Sequence, residues 1–193
     1  PEHRIDDVIV FDPSDEEFPI GFNVLSASSE VEKTLLASDL CSVFRRFSTS
    51  WGDQMTAVLS NAILAFLESS EGGTLSDLRK FLVDKDFRNQ FLETVDDREV
   101  TYFWLKDYRF LSGKPEGSVV MRLNSFLRPK PIRNMVAQKE SKLDLAEVMD
   151  EGKILLARIP QGLVGEENAY LLGSLLVIKI HQLILGRQAR KAE

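Results

Sequence analysis

Few residue groupings in this chain have the types and spacing that chemistry needs. The two histidines, His3 and His181, lie at opposite ends of the sequence with no cysteine near either, so the spacing of a zinc site is missing. His181 falls in a mostly apolar helical stretch and reads as a core or edge histidine. The single cysteine, Cys41, also lies in an apolar helical stretch and reads as a small core residue rather than a reactive thiol. Asp12 ends the apolar run VIVF, a place where an acid can hold Mg²⁺. With Pro13 next to it, the plainer reading is a capped turn. Gripping phosphate takes G-x-x-x-x-G-K-[ST], in which backbone N–H groups cradle the phosphate and lysine neutralises it. That string does not occur, and GGTLSDLRK (72–80) carries its glycines and lysine at another spacing. There is no G-x-S-x-G nucleophile elbow. The acid pairs Asp96-Asp97 and Glu166-Glu167 are adjacent in sequence, so on a helix they point apart and read as N-terminal helix charge.

A basic run is the remaining grouping. Arg122, Arg128, Lys130, Arg133, Lys139 and Lys142 stand against the single acid Glu140. Such a stretch can contact phosphates, of a DNA backbone or of a neighbour's nucleotide. The plainer reading is a solvated helical face and loop. Arg122, Arg128, Lys130 and Arg133 are the candidate phosphate contacts. Trp51, beside Gly52 at a helix start, is the candidate partner-binding aromatic, whereas Trp104 reads as core.

The elements that must position these residues follow from composition and periodicity. At 193 residues, with 44% hydrophobic and 28% charged residues, the chain can build a real core of one or two domains. A net charge of −6 gives the whole chain no general affinity for nucleic acid. One cysteine allows no internal disulfide, which suits a reducing, cytoplasmic compartment. Residues 1–7 are polar and acidic, unlike a signal peptide, and the chain reads as an excised piece of something larger. Residues 169–186 have the length of a membrane span, but Lys179 and His181 interrupt them. Acids precede that stretch and bases follow it, so a helix buried on most sides is expected, with no span.

Val8 to Phe11 reads as a strand covered on both faces, hence parallel, and stopped by Asp12-Pro13. Ser29 and Glu32 form a capping-box pattern before a helix with Leu36, Leu40, Val43, Phe44 and Phe47 on one face. A second helix carries Met55, Val58, Leu59, Ala62, Ile63 and Phe66 and stops at Gly72-Gly73. Shorter helices follow around Leu78 and Phe81, around Phe91, around Trp104 with Tyr108, and from Val119 to Leu127. Arg128-Pro129-Lys130-Pro131 reads as a loop. After residue 140 come a short helix (143–152), a second buried strand (153–160), a glycine-bearing turn (162–168) and a long last helix.

Two parallel strands normally share a one-helix crossover, and here more than a hundred residues intervene. The expected fold is therefore mainly α, a helical bundle inserted between strands of a partial α/β sheet. Residues 1–25 form an α/β segment, 26–142 an all-helical inserted domain, and 143–193 the return strand and helix. Two strands do not make a stable parallel sheet alone, so further strands are expected outside this chain.

In order along the chain, IDDVIVFDPSDEEFPIGFNVL, WGDQMTAVLSNAILAFLE, TLSDLRKFLVDKDFR and LDLAEVMDEGKILLARIPQGLVGEENAYLLGSLLVIKI resemble the middle of the conjugative coupling ATPases. These are the TraG/TraD-like, HerA/FtsK-like pumps of type IV secretion. The resemblance covers nearly the whole chain and implies a RecA-like sheet holding the helical insertion. It implies a hexameric ring, cargo of DNA or DNA–protein complex, and relaxosome-type accessory partners. The phosphate loop and the Mg²⁺ motif would flank this segment, so ATP and Mg²⁺ belong to the full-length parent, and this piece is expected to carry no cofactor, bind no metal and catalyse nothing. In the family the strand before Asp12 lies outside the Mg²⁺ motif. The family's usual basic residue in the glycine turn is replaced by Leu163 or Val164.

Overall fold

In the computed structural model, which describes residues 2–27, 29–48 and 50–190, helices dominate and one two-stranded sheet joins the two ends. After a 3₁₀ turn comes β1 (Val8–Phe11). Eight helices follow: α1 (Glu30–Arg46), α2 (Asp53–Leu67), α3 (Leu75–Val83), α4 (Lys85–Leu92), α5 (Arg98–Leu105), α6 (Glu116–Leu127), α7 (Lys130–Val136) and α8 (Leu145–Asp150). Then come β2 (Ile154–Ala157), the single turn α9 (Gln161–Val164) and the long α10 (Glu166–Arg190).

Local chemistry starts most of these helices. Ser29 caps α1 by accepting from the Glu32 N–H. Thr74 and Asp77 form a complete capping box at α3. Asp84, Asp97 and Asp144 each cap the next helix by accepting two backbone N–H bonds through one carboxylate oxygen. Gly72, at φ 57°, turns the chain between α2 and α3. Its neighbour Gly73 lies so close to the Phe66 ring that an added Cβ would sit 2.4 Å from it.

The apolar faces of these helices converge on one continuous core. At its outer end Phe66, Phe81, Phe91 and Trp104 pack edge-on or stacked, with ring centroids 4.3–5.7 Å apart. Arg88 closes this cluster. Its guanidinium lies over Trp104 and Tyr108 and donates to the Phe81 and Leu82 carbonyls. Tyr108 therefore belongs to the core edge, in a 3₁₀ turn (Asp107–Phe110) that follows α5.

β1 pairs with β2 in parallel, from Val8↔Ile154 to Phe11↔Ala157, across the eight intervening helices. The expected parallel pairing is present. The expected burial on both faces is not. Ile9 and Leu155 pack against the core, whereas Val10 and Leu156, opposite one another on the other face, are 57% and 52% exposed. No third strand lies beside either edge among the described residues.

Buried Asn23 ties the exit of β1 to the helical body. Its Nδ2 donates to the Gly73 and Lys139 carbonyls, its Oδ1 accepts from the Leu25 N–H, and its own N–H donates to Ser141.

Two further expectations are corrected. Lys130-Pro131 is not loop but the first turn of α7, where proline's missing N–H costs nothing, and Ile132, Met135 and Val136 bury its inner face. The last helix is amphipathic rather than buried on most sides. Leu172, Leu175 and Leu176 face the core, Tyr170, Val177 and His181 face out, and 33% of its apolar window is buried. By length and composition it could cross a membrane.

Candidate functional site

The four basic candidates separate into two roles. Arg122, on α6, is half-buried and spends its guanidinium inside the fold, with Nε donating to the Phe47 carbonyl and Nη1 to the Ser118 carbonyl. It holds the end of α1 against α6 and presents no free fork to a phosphate.

Arg128, Lys130 and Arg133 lie together at the α6–α7 corner. Arg128 is the C-terminal cap of α6, while Lys130 and Arg133 are one turn apart on α7. All three are exposed, and no carboxylate forms an ion pair with any of them among the described residues. The corner thus presents three solvated cations from a rigid turn whose apolar residues are locked in the core. Such a corner can contact consecutive phosphates electrostatically, without base recognition.

Asp12 is committed to structure. Its Oδ1 accepts from the Ser14 N–H and hydroxyl, and its Oδ2 accepts from Arg158 at 3.2 Å. Partial burial opposes ionisation, but the Ser14 bonds and the Arg158 charge outweigh it and hold this carboxyl below its ordinary range. Asp12 is the capped turn that its neighbour Pro13 suggested. Among the described residues no group of three or more His, Cys, Asp or Glu could hold a metal ion.

Trp51 is half-buried against the core, and its indole N–H donates to Thr56 Oγ1 at 2.7 Å. It is not an open aromatic. Exposed large apolar side chains lie elsewhere, among them Phe18 in the acidic loop, Tyr170 on α10, and Tyr102, Leu105 and Phe110 on α5 and its following turn. Beside α5, Leu92, Val95, Tyr102 and Leu105 line a groove of about 420 Å³ rimmed by Asp96, Arg98 and Lys106. Sequence periodicity could not find it, because α5 is short and apolar on more than one side, so spacing alone did not say which aromatics face in. Trp104 does face in, as expected.

Cys41 is buried between α1 and α2, and desolvation pushes its thiol up to about 12. In the native protein a thiol reagent at neutral pH should leave Cys41 unmodified for as long as the fold persists, and should label it stoichiometrically in urea. Rapid labelling without denaturant, read by mass spectrometry, would contradict the assignment of Cys41 to the core.

Set against known proteins, the chain matches no family model, no curated protein and no solved structure.

Proposed function

We propose that this chain is a non-enzymatic helical interaction module carried on two strands of a larger parallel α/β sheet. The observation that supports it most is the sheet. Two four-residue strands pair in parallel across eight helices, with aliphatic Val10 and Leu156 bare on one face and both outer edges unpaired among the described residues. Parallel sheets are covered on both faces, and two strands alone are marginal. The helices meanwhile bury a continuous aromatic and aliphatic core, to which the strand pair adds Phe11 and one face. Supporting the interaction role are the groove beside α5 and the exposed basic corner at Arg128, Lys130 and Arg133.

The resemblance to conjugative coupling ATPases gives the more specific form of the proposal. In that form the helices are the insertion of a DNA-translocating motor on the cytoplasmic side, the parent's flanking segments supply the remaining strands and hold the nucleotide and Mg²⁺, and neighbouring subunits assemble with it into a ring. The helical insertion then recognises cargo or accessory proteins. A free-standing helical module is the alternative, and the two differ in what they ask of the sheet.

Hydrogen exchange separates them. In the isolated chain the amides bonded between β1 and β2 should exchange about 100-fold faster than those of α2 and α3, because the strand pair is an unfinished layer. Protection of the strand amides equal to that of the helical core would mean a self-sufficient sheet, and would favour the free-standing module.

A further inference from the structure

The groove beside α5 has a complement elsewhere on this chain. Along one face of α5, Arg98, Tyr102 and Leu105 follow at successive turns, and Lys106, the C-terminal cap, ends the row. Leu92 and Val95 line the groove beside them. Tyr102 and Leu105 are 55% and 54% exposed, so more than half of each side chain is bare. The rim carries two cations, Arg98 and Lys106, against one acid, Asp96. Neither cation forms an ion pair among the described residues. An apolar trough between two unspent cations suits an aromatic anchor flanked by acids.

The segment Asp15-Glu16-Glu17-Phe18 has that chemistry. Phe18 is 74% exposed. Its turn is tied at both ends: Asp15 Oδ1 accepts from the Glu17 and Phe18 N–H groups, and Gln138 Nε2 donates to the Pro19 carbonyl. An aromatic fixed in place before contact gives up little freedom on docking. Glu16 and Glu17 are exposed and form no ion pair among the described residues. Within one chain the two surfaces do not meet, since Phe18 is bare and is not among the residues lining the groove.

We propose that the groove beside α5 takes Phe18 of a second copy of this chain, with Glu16 and Glu17 of that copy against Arg98 and Lys106. The two patches differ, so the contact is heterologous. A pair of copies keeps one free groove and one free Phe18, and association runs past the dimer. The inference rests on the interaction role given to this groove above and names its partner. It makes no use of the strand pair, so a failure of self-association leaves the hydrogen-exchange test of that reading where it stood.

Sedimentation equilibrium of the chain up to about 1 mM reads the contact, with a dissociation constant on the order of 100 μM. The mean mass should rise with concentration beyond that of two chains. Phe18→Ala and Leu105→Glu should each be monomeric. Both positions are more than half exposed, so both variants should keep the wild-type circular dichroism. Mixed in equal amounts, they should form a pair and stop there, because one supplies an intact groove and the other an intact Phe18. Arg98→Glu combined with Lys106→Glu should weaken self-association about tenfold. A wild-type chain that stays monomeric overturns the proposal. So does association that Phe18→Ala, Leu105→Glu or the charge reversal leaves intact, and so does a mixture of the two single variants that stays monomeric.

Discussion

Phe81→Ala should lower the unfolding free energy by about 3–5 kcal/mol, a large share of a typical domain's total. Phe81 is fully buried and packs edge-on against Phe66, Phe91 and Trp104. Truncation leaves a cavity that three large rings, themselves fixed on α2, α4 and α5, cannot collapse to fill. It also takes away one wall of the site where Arg88 donates to the Phe81 carbonyl and stacks on Trp104. The drop should be read by urea denaturation, with the midpoint falling and the slope unchanged. A loss under about 1 kcal/mol would show that α2 to α5 do not form the tight aromatic core described.

The second large effect concerns phosphate. If Arg128, Lys130 and Arg133 each neutralise one phosphate of duplex DNA, binding should weaken about 40-fold between 50 and 200 mM salt, following a slope of about 2.7. Replacing all three with alanine should remove that slope. Stability should change little, because the three side chains are exposed and make no ion pair among the described residues. Arg122→Ala should behave in the opposite way. It frees the Phe47 and Ser118 carbonyls and so costs stability, while the salt slope stays. Binding that keeps its full slope in the triple variant would take the phosphate role away from this corner.

The contrast between Arg122 and its three neighbours marks where sequence stops being informative. All four read alike as members of one basic run. Only packing reveals that Arg122, one turn from buried Val119 and Phe126, is drawn against the end of α1. The start of α1 was legible because a cap is local: Ser29 acts within three residues of itself, as Thr74, Asp84, Asp97 and Asp144 prove to do at the later helices. The parallel relation of β1 and β2 was legible from their unbroken apolar runs. Their bare face was not, because such a run records what a strand is built to bury, not what covers it here. α7 was missed because Pro129 and Pro131 look like breakers, although proline in a first turn is tolerated.

The claim that organises all of this is that the strand pair belongs to a larger sheet, with the helices as its interacting insertion. The most direct measurement is the coding sequence on either side of this segment. The account predicts a G-x-x-x-x-G-K-[ST] string shortly before Pro1 and an apolar strand ending in acid after Glu193, the two motifs a motor of this kind needs to hold ATP and Mg²⁺. Start and stop codons at these ends, with neither motif present, would contradict it and leave a free-standing helical binding module.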